Sequence, residues 1–403
     1  MILLETLMKR FVKVGTLTIL DVEGKPHVFK GAPGPEVTIR LRDRKLYRSL
    51  FFHPELHVGE AYMDGTLTIE QGTIRDFLTL SVMNSRNLRK HPLQRLLNSS
   101  LKRMRKLHQH NTAKAAKAHV HHHYDLSNEL YKLFLDKDMN YSCAYFTKPT
   151  DTIETAQQNK LRHIASKLDL KPGQRILDIG SGWGGMALYL AAAADVEVLG
   201  VTLSTEQLDL ATLRAKERGL EKRVRFELMD YREVKGPFDR IVSIGMFEHV
   251  GIAHYEEFFS HVRDLLKPDG VALLHSIGRK GGPSATASWI RKYIFPGASS
   301  PALSETLASI ERAGLWVTDI EILRLHYAKT LHAWDQRFQA NRAQVTALMD
   351  ERFCRMWEFY LIVSELSFSL GKHMVFQIQL TKERDTLPIT RDYMIKEEGK
   401  LKA

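Results

Sequence analysis

The chain reads as an α/β protein: a Rossmann-like domain built on a seven-stranded mixed sheet, preceded by a small α+β N-terminal domain. Three observations predict this. The run Arg175-Ile-Leu-Asp-Ile-Gly-Ser-Gly-Trp-Gly-Gly185 is an apolar strand, a glycine turn and a helix start. From His119 onward, short apolar runs alternate with helical patterns, as in a doubly wound sheet. Before that, β-rich stretches mix with short helical ones.

Residues 1–85 form the α+β domain, with β-rich stretches at Val12–Val22, Glu36–Leu41 and Gly65–Ile69 and no catalytic constellation. Residues 86–118 read as a basic connector. Between Phe77 and Tyr124 there is no Asp or Glu, but there are ten Lys and Arg and seven His. Leu88, Leu93, Leu96, Leu97, Leu101, Met104 and Leu107 recur mainly at spacings of three, four and five, which makes the connector a basic amphipathic helix. Such a helix lies on an anionic membrane, docks on its own protein or binds RNA, and composition leaves all three open.

Residues 119–403 carry the Rossmann-like domain. Its strands are expected at Arg175–Ile179, Val196–Val201, Val224–Leu228, Arg240–Ser243 and Val271–Ser276, separated by helices Gly184–Ala194, Thr205–Arg218 and His254–Leu266. Lys267-Pro-Asp-Gly270 marks a turn before the fifth strand. A later strand pair, Trp316–Leu323 and His373–Leu380, encloses helical patterns at Ala328–Asp350 and Glu351–Phe368.

Composition narrows the classes. The chain has 403 residues, room for two domains. No apolar run reaches the ~20 residues needed to span a bilayer. The start, Met1-Ile-Leu-Leu-Glu-Thr-Leu, does not read as a secretory leader. Two cysteines, Cys143 and Cys354, build no disulfide framework and suit a reducing cytoplasm. The formal charge of +11 calls for an anionic partner.

The glycine motif is ambiguous alone. Gly180, Gly182 and Gly185 fit the dinucleotide pattern G-x-G-x-x-G, whereas Asp178, Gly180, Gly182 and Gly184 fit the D-x-G-x-G-x-G of S-adenosylmethionine (SAM) methyltransferases. A nicotinamide enzyme usually places an acid after the second strand; here Thr202, Ser204 and Gln207 stand there. Asp230 and Tyr231 follow the third strand, suited to an adenine amino group and ring. These positions favour SAM. On the same rim, Cys143, Glu248, His275 and Tyr327 are candidates to converge near a transferred methyl group. The contiguous histidines at 119 and 121–123 lack the spacing and Cys partners of a zinc site, so no metal is expected. After the fourth strand, Ser243-Ile-Gly-Met-Phe-Glu-His lacks the Asn-Pro-Pro-Tyr-type tetrad of a base-flipping methyltransferase, so nucleic acid is not the expected substrate.

The segments H-Y-D-L-x-N, Y-S-C-A-Y-F, L-D-I-G-S-G-W-G-G, V-T-L-S-x-x-Q, M-F-E-H-V-G, H-S-I-G and H-Y-A-x-T-L-x-A-W occur in the order found in cyclopropane-fatty-acyl-phospholipid synthases. The chain resembles that family over residues 119–385, and its catalytic part is similar to mycolic acid cyclopropane synthases. The N-terminal part also resembles the extra domain of the bacterial phospholipid enzymes. The resemblance implies a class I SAM methyltransferase domain that adds a methylene group to the cis double bond of a phospholipid acyl chain. It further implies a bicarbonate or carbonate ion acting as base, cradled by Cys143, Glu248, His275, Ile277 through its backbone, and Tyr327. SAM would meet Tyr141, Ser142, Asp178, Gly180, Ser181, Gly182, Gly184, Thr202, Ser204, Gln207, Asp230 and Tyr231. Relatives suggest a homodimer, cytoplasmic and peripheral on the inner membrane face. Ser127 stands where many relatives have Gly.

Two readings stay beside this one: a related lipid C-methyltransferase giving a methyl- or methylene-branched chain, and a non-enzymatic membrane module. Trp289, Ile290, Tyr293, Ile294 and Phe295 are candidates for the wall of an acyl channel, or for core.

Overall fold

The structure, a computed structural model, describes residues 1–89 and 127–401. Most of the basic connector, with the histidine cluster and Tyr124-Asp125, lies outside the described residues. By contacts the described chain divides into two units. One contains residues 1–89, Ala285–Pro296 and Leu331–Lys372; the other contains residues 127–284, Gly297–Thr330 and His373 onward.

In the first unit, β1 (Val14–Leu20), β2 (Pro26–Lys30), β3 (Ala32–Leu41) and β4 (Leu67–Gln71) form a sheet of order β2-β1-β3-β4. Leu17 and Ile19 of β1 point to the core while alternate residues are half-exposed, as period-two burial requires. Helix Ile74–Arg89 sends the buried Asn84 back to β1, where its amide accepts from Lys13 and Val14 N–H and donates to Val14 O. Trp289 is a core residue of this unit. It lies 4.6 Å from the Phe359 ring, and its indole N–H points at the Met63 sulfur, 3.3 Å away. A Cβ on Gly59 would fall 2.4 Å from that indole. Of the two expectations for Trp289, core packing is the one seen.

The second unit holds β5 (Gln174–Ile179), β6 (Val196–Thr202), β7 (Val224–Leu228), β8 (Phe238–Ile244), β9 (Leu266–Arg279), β10 (Trp316–Ile322) and β11 (His373–Thr381). They form one seven-stranded sheet of order β10-β11-β9-β8-β5-β6-β7, with β11 antiparallel to both neighbours. β5 runs parallel to both β6 and β8. The strand order therefore reverses at the tip of β5, where doubly wound sheets bind ligands. The core lies on both faces of this sheet, which explains why β5 and β9 read as near-continuous apolar runs.

The expected turn at Lys267–Gly270 does not end a strand. Leu266 pairs with Phe238 and Val271 with Arg240, so the four residues between bulge out of a continuous β9. The long helical pattern at Ala328–Asp350 divides into helices His326–Ala340 and Arg342–Leu348.

Candidate active site

A pocket opens at the tips of β5, β6 and β8. It is lined by Tyr141, Ser142, Asp178, Gly180, Ser181, Gly182, Thr202, Gln207, Asp230 and Tyr231, all expected there, and by Asn140, Trp183, Arg232, Met246 and His249, which were not. Gly180 and Gly182 have φ of +80° and +54°. At Gly180 a Cβ would strike Met246 at 2.8 Å; at Gly182 it would meet no protein atom within 4 Å. Asp178, next to last in β5, is almost fully buried, with Oδ2 lacking a partner among the described residues. Burial pushes its carboxyl up to about 7, against the opposing pull of Lys160.

Two expected contacts take other roles. Ser204 is the N-cap of helix Thr205–Glu217, its hydroxyl accepting from Gln207 N–H at 3.3 Å, and it does not line the pocket. Gly184 precedes helix Gly185–Ala193 and faces Phe226, which a Cβ would approach to 2.6 Å. Asp230 lines the pocket with its carboxylate held by Arg232, whose Nε and Nη2 donate at 2.8 and 2.7 Å.

The segment from 136 to 146 is fixed from three sides. Asp136 accepts from the backbone of Asp138 and Asn140 and from the Asn140 amide. That turn puts Met139 at φ 53°, an unfavourable conformation for a side-chain-bearing residue, held by the surrounding bonds. Helix Ile153–Lys167 supplies the second anchor. The fully buried Gln157 donates to Asn140 O and Ser142 O. Lys160, also buried, donates to Asn140 Oδ1 at 3.2 Å and Ser142 Oγ at 3.1 Å. The third anchor is the first turn of helix His326–Ala340: Ala144 N–H donates to Thr330 and Phe146 N–H to His326 Nδ1, both at 3.0 Å. Tyr145 stacks between His163 and His326, at 4.2 and 4.7 Å. Cys143 is thereby tied to the turn that carries the buried Tyr327.

Glu248 follows β8, and His275 lies in the neighbouring β9 opposite Ile244, the last residue of β8. Glu248, buried in the 3-10 turn Phe247–His249 after β8, accepts the Ile277 N–H through Oε1 at 2.6 Å; Oε2 is buried with no hydrogen-bond partner among the described residues. Ile277, expected beside the ion through its backbone, gives its N–H to Glu248, so the two residues lie together at this end of the site. Burial pushes the Glu248 carboxyl up to about 7, with the Ile277 bond opposing. Burial drives His275 down to about 3, with Lys160 and Lys167 adding to the effect, so the ring is neutral. Burial raises the Cys143 thiol well above its usual range, so it is not a thiolate.

Lys160 is a buried charge beside the site that was not expected from the sequence. Its charge acts on Cys143, Asp178 and His275 alike, and burial pulls its own ammonium down to about 8. A run as polar as Gln157-Gln-Asn-Lys160 gives no periodic signal of burial, so nothing local in the sequence marks Lys160 as a site residue.

The sheet order, the switch point at β5 and the glycine-lined pocket define the class: an enzyme with the SAM-dependent methyltransferase fold. The comparison with known proteins goes further. The chain belongs to the mycolic acid cyclopropane synthetase family, whose profile matches residues 110–378. It is 38% identical to a protein of Pseudomonas putida named "Probable fatty acid methyltransferase", over 91% of this chain and 93% of that one. It is 38% identical to the cyclopropane-fatty-acyl-phospholipid synthase of Escherichia coli (strain K12), over 85% and 87%. The mycolic acid cyclopropane synthase CmaA1, solved with SAH and CTAB, superposes with a TM-score of 0.62 at 35% identity, covering 66% of this chain and 97% of that one.

Proposed function

We propose that this enzyme transfers a methylene group from SAM to the cis double bond of unsaturated phospholipid acyl chains, closing a cyclopropane ring with bound bicarbonate as the base. Glu248 carries the proposal: a buried carboxyl with Oε1 fixed by the Ile277 N–H and Oε2 without a hydrogen-bond partner among the described residues. A group so placed is costly to bury unless something completes it.

The residues present fit both small molecules. Asp178 Oδ2, Gly182 and the Tyr141–Ser142 segment would hold SAM, which is cationic overall and suits an acidic pocket end. Glu248, His275 and Tyr327 would hold the anion. When bound, SAM supplies a sulfonium-activated methyl group and bicarbonate a small oxyanion that accepts the proton lost as the ring closes. The chain's own contribution is arrangement. Glu248, close to neutrality, is able to present a proton from Oε2; neutral His275 presents one ring N–H. The Cys143 thiol stays protonated, so it does not compete for the methyl group. Lys160 places a positive charge near the anion and keeps the Ser142 hydroxyl oriented. A buried polar cradle of this kind needs no rearrangement as charge develops.

The basic connector (86–118) serves in this reading as a contact with anionic membrane, with residues 1–85 as an accessory domain and 119–403 as the catalytic region. Among the described residues no helix is long and apolar enough to cross a membrane. The enzyme would act from the cytoplasmic side, as a homodimer. A second reading, a methyl- or methylene-branched product, is favoured by the Pseudomonas putida relative, which matches at the same identity over more of both chains.

The test is incubation of purified protein with SAM and liposomes of unsaturated phospholipid, with and without bicarbonate. Acyl chains heavier by one CH2, formed faster with bicarbonate, are expected. Unchanged lipid from a protein that binds SAM would defeat the proposal.

A further inference from the structure

Three side chains stand in a row across β9, β11 and β10. His275 pairs directly opposite Gln377, and Gln377 directly opposite Glu321. Residues opposite one another on adjacent strands project from the same face. Lys167, the last residue of helix Ile153–Lys167, closes over the row and is buried. Its Nζ donates to Gln377 Oε1 at 2.7 Å and to Glu321, with Asp319 at 3.9 Å. Gln377, fully buried, places Nε2 3.2 Å from His275 Nδ1. The far end is held by His163, whose Nε2 meets Glu321 at 2.7 Å and whose Nδ1 meets Glu398 at 3.1 Å.

The chemistry of these groups leaves one assignment. A lysine ammonium only donates, so the Gln377 atom facing it is the carbonyl oxygen. The amide then turns its NH2 toward His275, and an NH2 only donates. Nδ1 must therefore be the bare, accepting nitrogen. We propose that Lys167 and Gln377 are positioning residues that lock His275 in the tautomer with its proton on Nε2. The inference deepens the proposed function and rests on its assignment of His275 to the anion cradle. An oxyanion is held by donors, and the locked ring offers a donor on Nε2; the other tautomer would offer a lone pair there and repel the ion. Glu321 and Asp319 keep Lys167 in place, so the lock is set by sheet register and the end of one helix.

The test uses the full chain labelled with 15N-histidine. Long-range proton–nitrogen spectra distinguish protonated from bare ring nitrogens, and His275→Asn identifies the signals. The wild-type ring is expected to show a bare Nδ1 and a protonated Nε2. Gln377→Glu replaces the donor with an acceptor of the same length. It is expected to move a proton onto Nδ1 and to lower turnover roughly 10- to 100-fold, with SAM affinity unchanged. Lys167→Met frees the amide to turn and is expected to give both tautomers. A wild-type ring protonated on Nδ1 would overturn the proposal even if neither variant folds, as would a folded Gln377→Glu protein with the wild-type nitrogen pattern. A Gln377 of purely structural importance would change stability without moving the proton. If lipid is not modified while the spectrum shows the proton on Nε2, the functional reading falls and the lock stands; modified lipid with the proton on Nδ1 overturns the lock alone.

Discussion

Replacing Lys160 with methionine separates function from stability. Taking the ammonium from its ordinary 10.5 down to about 8 costs the folded state about 3 kcal/mol at neutral pH. Methionine has similar length and no charge to desolvate. Against that gain, Asn140 Oδ1 and Ser142 Oγ lose a donor, at about 1–3 kcal/mol each. The terms largely offset each other, and apparent stability in denaturant should stay within about 3 kcal/mol of wild type. The penalty falls on the charged form. It is present in full below about 8 and is relieved as pH rises from about 8 toward 10.5, where the folded state has lost the proton and the unfolded state retains it. Wild type should therefore gain on Lys160→Met across that window. Function should not survive so well. Lys160 is the charge opposing burial at Asp178, so its loss lets that carboxyl rise further and protonate at neutral pH. Losing a hydrogen bond from ligand to carboxylate, worth about 1.4 kcal/mol, would weaken SAM binding about tenfold in titration calorimetry. Severe destabilisation with unchanged SAM affinity would refute the reasoning and reduce Lys160 to a structural residue.

Three more expectations concern the site and the connector. Glu248→Gln should lower turnover on unsaturated liposomes by roughly 10²- to 10⁴-fold while calorimetry shows SAM bound as before; full turnover would remove Glu248 from the chemistry. SAM affinity should increase as pH rises through about 7, where the buried Asp178 ionises, and Asp178→Asn should flatten that dependence; a wild-type curve already flat from pH 6 to 8 would contradict the role given to its charge. The protein should sediment with anionic vesicles more than with neutral ones, and less as salt is raised; equal binding to both would remove the connector's membrane role.

The sheet was legible because burial on both faces writes itself as apolar runs. Val224–Leu228 is expected and observed, and β5 and β6 differ from expectation by one residue at one end. β2 was missed: five residues beginning at Pro26 carry little pattern. Helix Ile153–Lys167 was missed for a reason tied to function. Gln157, Asn159, Lys160, His163, Ser166 and Lys167 are buried in it beside Ile153, Ala156, Leu161, Ile164 and Ala165, so polar residues interrupt its inner face and blur the amphipathic stripe. The glycine pocket was legible from Asp178 and its motif. The row His275–Gln377–Glu321 was not, since it depends on the antiparallel register of three strands far apart in sequence. The grouping of Ala285–Pro296 and Leu331–Lys372 with the N-terminal residues likewise depends on long-range contacts that no local pattern records.

The most direct test of the central claim follows the carbon itself. Protein, SAM labelled with 13C in its methyl group and cis-unsaturated phospholipid vesicles are incubated with bicarbonate, and the extracted acyl chains are read by proton and carbon NMR. The account predicts the label in an upfield ring CH2 flanked by the two former olefinic carbons. Label in a methyl or exocyclic methylene group would contradict ring closure, and label absent from the lipid while SAM is bound would contradict the account as a whole.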